Sequence, residues 1–147
     1  MEKDMMAALA DINRAIIKFR GVYSLWSKKH GISYNEMLVL YTIRDDGFCT
    51  QKKICDSYLL PRQTINNVIT DMRKRGLLEL SQDDCKVREK AFILSDKGKD
   101  YAEPFLNSLN DMEKQAVDLV GTENIRNMAD AVLKYSKALQ KAVEDNV

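Results

Sequence analysis

The sequence predicts a mainly α-helical domain carrying one small β-hairpin, and three observations support this. Apolar residues recur at helical spacing over long stretches near both chain ends and over shorter stretches between them. Two short β-prone segments, residues 77–80 (LLEL) and 90–94 (KAFIL), lie in the middle, separated by the polar run SQDDCKVREK. The 147 residues, 45% hydrophobic and 31% charged, suit one soluble globular domain over 1–147. A chain of this length buries roughly 68–70% of its unfolded surface, so it needs no disulfide or metal to hold it.

The elements follow in order. A first helix is expected over about 4–29, with Met5, Leu9, Ile12, Ile16, Phe19, Tyr23 and Trp26 at alternating spacings of 4 and 3. A heptad-like stripe this long normally packs against a partner, and Gly31 ends it. Ser33 and Glu36 form a capping box: the Ser33 oxygen accepts an amide of the first turn and Glu36 reaches back. The second helix carries Met37, Leu38, Leu40, Tyr41 and Ile43, and Asp45-Asp46-Gly47 stops it. Thr50 caps a short third helix over about 51–57, with Ile54 and Cys55 inward. Pro61 suits the first position of a fourth helix, because its missing N–H has no partner there anyway. That helix runs to Arg75, places Arg73, Lys74 and Arg75 at the negative end of its dipole, and has Gly76 just beyond.

The polar run between the β-prone segments is too long for a two-residue turn, so the hairpin should extend away from the body. Ser95 caps a fifth helix over about 96–119, with Tyr101, Phe105, Leu109, Met112 and Leu119 on one face. Pro104 should kink it, since an interior proline costs about 3 kcal/mol. Gly121 is a stop and Thr122 a new cap. The sixth helix, about 123–144, places Ile125, Met128, Val132, Tyr135, Leu139 and Val143 on one stripe. No repeat, low-complexity tract or flexible linker interrupts the order.

Composition excludes several function classes. No apolar run approaches the ~18 residues of a membrane span, and the charged, periodic N-terminus lacks a cleavable signal pattern. Cys49, Cys55 and Cys85 are odd in number and lack the close pairs of a zinc site, so no metal or cofactor is expected and the cytoplasm is the default compartment. No Gly-rich phosphate loop or nucleophile elbow is present, and the chain has one histidine, which argues against an enzyme. The net charge of +1 is uninformative, but its distribution is not. Residues 50–78 hold six Lys or Arg against two Asp, so the remainder is net acidic. A local basic excess hints at a polyanion partner.

The fourth helix explains that excess. Ile65, Val68, Ile69 and Met72 form its apolar stripe. Its other face carries Arg62, Gln63, Thr64, Asn66, Asn67 and Thr70, short polar amides and hydroxyls rather than the Glu and Lys of an ordinary solvated helix. Two short helices joined by a tight turn and followed by a hairpin describe a winged helix-turn-helix. In the DNA major groove, Arg pairs with guanine, Gln and Asn pair with adenine, and Thr adds a hydroxyl or touches a thymine methyl. Arg73 and Lys74 would meet phosphate, which sets affinity rather than sequence. A polar face can also be merely solvated. The basic cluster, the short preceding helix and the polar hairpin with Lys86, Arg88 and Lys90 favour DNA reading.

The stretch TQKKICDSYLLPRQTINNVITDMRKRGLLEL, with KVREKAFILSDKGKDYAEP after it, resembles the DNA-binding core of MarR (multiple antibiotic resistance regulator) transcription factors, over about 33–104. The resemblance implies a winged helix-turn-helix lobe at 33–95 and long dimerisation helices at 1–30 and 96–147. It implies a homodimer on a palindromic, inverted-repeat operator of double-stranded DNA, usually a repressor released by a ligand or oxidant. Thr50, Gln51, Arg62, Gln63, Thr64, Asn66, Asn67, Arg73, Lys74, Lys86, Arg88 and Lys90 are the DNA-binding candidates. The family wing often reads Asp-x-Arg. Arg88 matches the arginine, the acid's place holds Lys86, and Asp83 or Asp84 is left to supply the acid.

Two copies fit the apolar stripes of the first, fifth and sixth helices, which exceed what so small a DNA-binding core can bury; packing within one chain is the alternative. For an effector, Tyr23, Trp26, Tyr34 and Tyr41 offer aromatic walls for a small apolar or phenolic ligand. His30 is a further candidate, or a helix cap, and the aromatic stripe itself can be plain core. Redox sensing is an alternative control. It needs a lowered thiol pKa and access, whereas Asp83 and Asp84 would raise the pKa of Cys85. The family's oxidant sensors also carry an N-terminal cysteine, and the first 48 residues have none. A helical protein-binding adaptor without DNA readout is the remaining alternative.

Overall fold

The computed structural model describes residues 1–82 and 89–146. Helix α1 (Lys3–His30) is followed by α2 (Tyr34–Asp46), strand β1 (Cys49–Thr50), α3 (Gln51–Tyr58) and α4 (Arg62–Lys74). Strands β2 (Leu78–Leu80) and β3 (Ala91–Leu94) precede α5 (Asp96–Val120) and α6 (Thr122–Asp145). The mainly helical winged architecture expected from the sequence is present. β1, which no periodicity predicts, adds to the hairpin: the sheet order is β1-β3-β2, all antiparallel, with Cys49 opposite Phe92 and Leu78 opposite Leu94. Among the described residues no helix is long and apolar enough to cross a membrane.

Local chemistry explains most boundaries. The Ser33 hydroxyl accepts the Glu36 amide at 3.0 Å and the Thr50 hydroxyl accepts that of Lys53 at 3.0 Å, so both helix starts are capped as expected. The capping box is only half made, however, because the Glu36 carboxylate turns to Arg75 and Tyr101 instead. Pro61 is the cap residue before α4 rather than its first residue, and α4 stops at Lys74, with Arg75 capping. Gly121, at positive φ (96°), precedes α6 as its cap, so Thr122 is the first helical residue and not the cap. Helix α5 continues through Pro104.

The chain forms two compact units, Met1–Leu106 and Asn107–Val147. In the first, Val39 and Leu40 of α2, Ile54 of α3, and Ile65 and Met72 of α4 are wholly buried, with Phe92 of the sheet beside them in the core. The apolar stripe of α4 is therefore satisfied within one chain, with Val68 half-buried at its margin. The start of α5 sits tightly on the chain entering β2. The Ser95 hydroxyl accepts the Gly98 amide at 2.9 Å, the Ser95 amide reaches the Leu77 carbonyl at 3.0 Å, and a Cβ on Gly98 would collide with that carbonyl.

The long helices differ. Of the α1 stripe, Met5, Ile12, Ile16 and Phe19 are exposed, and only Trp26 is buried. In the second unit no residue of α6 is buried, and Leu139 and Val143 face solvent. Of the α5 face that carries Tyr101, Phe105, Leu109, Met112 and Leu119, Leu109 is buried but Leu119, next to the helix end at Val120, is 89% exposed.

Candidate nucleic-acid interface

Helices α3 and α4 are joined through Leu59, which takes a left-handed conformation (φ 52°) at the end of α3. The Gln51 side chain donates to the Arg62 carbonyl at 3.2 Å, bracing the start of α3 against the start of α4. Thus Gln51 serves the motif's geometry and still lies at the edge of its surface. Thr50 is buried, and its hydroxyl is occupied as the α3 cap. That burial is at odds with its expected place among the DNA-facing residues: a two-residue strand draws it into the sheet.

The outer face of α4 is solvent-accessible. Arg62, Gln63, Asn66, Asn67, Thr70, Arg73 and Lys74 are exposed and Thr64 is half-buried. The Gln63 amide donates to the Asn67 amide oxygen at 2.8 Å, one turn on, so these two side chains stand as a pair. Beside them lies a concavity of about 330 Å³, walled by Asn66, Thr70 and Arg73 on α4 and by Glu89, Lys90 and Phe92 on the strand side. The Arg73 guanidinium lies 5.4 Å over the Phe92 ring, a cation–π contact that holds it along the groove. Lys90 is exposed; Lys86, Arg88, Cys85, Asp83 and Asp84 lie outside the described residues.

The six cations of residues 50–78 are not equivalent. Lys52 pairs with Asp56 at 2.6 Å, and that carboxylate raises the lysine pKa; Lys53 pairs with Asp46 at 2.9 Å. Arg62 stands 3.7 Å from Glu89 in an exposed pair, worth at most about 1 kcal/mol and easily exchanged for another anion. Arg75 is held most firmly. It donates to Glu36 and Asp71 at 3.1 Å each and to the Tyr101 hydroxyl at 2.9 Å, while Tyr101 donates to Glu36 at 2.6 Å. Partial burial disfavours its charge, but these hydrogen bonds outweigh that and raise its pKa. Among the described residues, Arg73 and Lys74 have no carboxylate within ion-pair distance. Sequence patterning carries no sign of the Arg75 cluster, because Glu36 and Tyr101 lie far away along the chain.

The aromatic candidates fall into two groups. Tyr23, Tyr34 and Tyr41 line a cavity of about 150 Å³, together with Met37, Leu38 and Tyr58. Arg20 lies 5.5 Å over Tyr34 and Arg44 lies 4.1 Å over Tyr41. Tyr58, the wall supplied by α3, carries no periodic signal. Trp26 and His30 are not in this cavity's wall: their rings stack at 4.4 Å, both meet Phe105 edge-on, and His30 Nδ1 lies 2.9 Å from the Trp26 carbonyl. Burial pushes Cys49 up to about 12 and also raises Cys55, the opposite of a sensor thiolate. Among the described residues no group of three or more His, Cys, Asp or Glu could hold a metal ion.

Residues 30–86 match the model of the MarR family. No curated protein matches the sequence. Solved structures share the fold over most of the chain. A MarR family regulator from Neisseria meningitidis superposes with a TM-score of 0.83 at 24% identity, covering 95% of this chain and 99% of that one. A MarR family transcriptional regulator from Listeria monocytogenes, complexed with 26mer DNA, superposes at 0.68 and 18% identity, covering 91% and 89%. Bordetella bronchiseptica BpsR, whose DNA binding is regulated by 6-hydroxynicotinic acid, superposes at 0.62 and 18% identity, covering 85% and 89%.

Proposed function

We propose, from the MarR-type winged-helix fold, that this chain is a sequence-specific DNA-binding regulator of transcription, a ligand-responsive repressor acting as a homodimer on a palindromic operator. The exposed α4 face carries the reading. Arg62, Gln63, Asn66 and Asn67 present donors and acceptors at the reach base edges require, and Arg73 and Lys74 follow as phosphate contacts. The DNA-bound Listeria monocytogenes structure supports this use of the fold.

The homodimer rests on the exposed apolar residues of α1 and α6, which a second copy would cover. Stable interfaces of that kind commonly bury 2,000 Å² or more. The effector site would be the tyrosine-lined cavity. Aromatic walls flanked by Arg20 and Arg44 suit a small aromatic acid, the chemistry of the BpsR effector. Cysteine-based control finds no support in the buried, protonated Cys49 and Cys55.

Selection from random duplex DNA tests the reading. It should enrich an inverted repeat with half-sites about one helical turn apart. A pool without enrichment would remove DNA reading, and an enriched but asymmetric site would remove the two-fold arrangement. Salt separates DNA reading from the adaptor alternative: operator affinity should fall steeply as salt rises, whereas apolar docking should not.

A further inference from the structure

Arg75 belongs to the basic run at the end of α4, yet its surroundings differ from those of Arg73 and Lys74. Glu36 of α2 is buried, and both of its carboxylate oxygens are used: one accepts from Arg75 and the other from the Tyr101 hydroxyl. Arg75 closes the ring by donating its second terminal nitrogen to Tyr101, at 2.9 Å. Asp71, one turn earlier on α4, accepts from the same guanidinium nitrogen as Glu36. The guanidinium also lies 5.1 Å over the Tyr101 ring. Three acceptors thus take up both terminal nitrogens of this one guanidinium, so its donors are used within the fold rather than held out toward a phosphate.

The ring joins three elements. Arg75 caps α4, Glu36 lies in the first turn of α2 and Tyr101 stands in the second turn of α5. The backbone and Ser95 contacts around Gly76 and Leu77 reinforce the same junction. We propose that Arg75 is a positioning residue and not a phosphate contact: its fork, locked by Glu36 and Tyr101, fixes how the C-terminal end of α4 is set against α2 and α5 and hence where its N-terminal amides fall on the bases. This rests on the DNA-reading function proposed above. A lysine cannot replace the fork, because one nitrogen must then serve partners that two rigidly spaced nitrogens now serve.

The test is the salt dependence of operator binding by the full chain, together with the ratio of operator to scrambled-duplex affinity. The single tryptophan, buried Trp26, serves as a fluorescence control that each variant is folded. Arg73→Gln and Lys74→Gln should each flatten the slope of log K against log salt by about 0.9, as expected for one lost phosphate contact. Arg75→Gln should leave the slope unchanged but lower the operator-to-scrambled ratio about tenfold. Arg75→Lys should not rescue that ratio. Tyr101→Phe, the mildest change, should lower it several-fold without altering scrambled-duplex affinity. A flattened slope in Arg75→Gln with full rescue by Arg75→Lys would make Arg75 a phosphate contact and overturn the proposal. If Arg75→Gln fails to fold, Arg75→Lys and Tyr101→Phe still decide: wild-type ratios in both overturn it equally. A wild-type chain that prefers no duplex overturns the DNA-reading function itself, and the role of Arg75 falls with it.

Discussion

Helices α1 and α4 are both amphipathic, and the structure treats their apolar stripes in opposite ways. Ile65, Ile69 and Met72 of α4 are buried in their own chain, whereas Ile12, Ile16 and Phe19 of α1 face solvent. Helix α6, where nothing is buried, resembles α1. Periodicity reveals that a face is apolar, not which molecule covers it. The difference also divides the labour. Because α4 is anchored by one chain's core, its polar face stays exposed; on the terminal helices it is apolar residues that stay exposed, the surface that the proposed homodimer would cover.

The largest expected effect comes from placing a charge on a terminal stripe. Leu139→Asp should abolish the homodimer, since a carboxylate cannot be left unpaired in an apolar interface. Sedimentation should report a monomer; a persistent dimer would move the interface off α6. Next is a cavity in the lobe. Ile65→Ala removes atoms from a fully buried site and should cost about 2–5 kcal/mol at any protein concentration. Ile16→Ala should instead lower thermal stability only through the dimer, so its effect should change with protein concentration. Identical concentration dependence in the two variants would erase the contrast between the helices.

The α4 surface sharpens the comparison at smaller magnitude. Gln63→Ala and Asn67→Ala should each weaken operator binding by about 1–3 kcal/mol and leave scrambled DNA nearly unaffected. Their hydrogen bond makes the two amides one unit, so the double variant should cost less than the sum of the singles. Additive losses would mean that the amides read independently, and equal losses on scrambled DNA would deny them a role in base reading.

Features that depend on neighbours in sequence are legible in it. Ser33, Thr50, Gly31 and Gly47 delimit their helices because caps and left-handed stops act within one turn. The amide face of α4 is visible for the same reason. Strand β1 is not, since two residues carry no period; its pairing with β3 also buries Thr50, which its place at the start of α3 suggests for the DNA-facing surface. The fate of Glu36 is hidden too. A capping box and a long-range ion pair need the same residue at the same position, and only the folded chain brings Arg75 and Tyr101 within reach. The aromatic candidates divide because Trp26 and His30 share a face of α1 that meets Phe105, whereas Tyr23 faces Tyr41 across from α2.

The smallest expected effect lies in the turn that links α3 and α4. Leu59 is 70% exposed and holds a left-handed backbone, a conformation that costs most side chains roughly 1–2 kcal/mol. Asparagine tolerates it better because its short amide bonds locally, and it has no large apolar surface to leave in water. Leu59→Asn should therefore raise the stability of the lobe by up to about 1 kcal/mol, measured by denaturant unfolding. If the leucine instead contributes to the DNA contact, the same substitution will stabilise the free protein while weakening operator binding. A loss of stability would show that Leu59 is held by packing rather than tolerated at a strained turn, and the boundary between the anchored and the partner-seeking surfaces would have to be redrawn to include it.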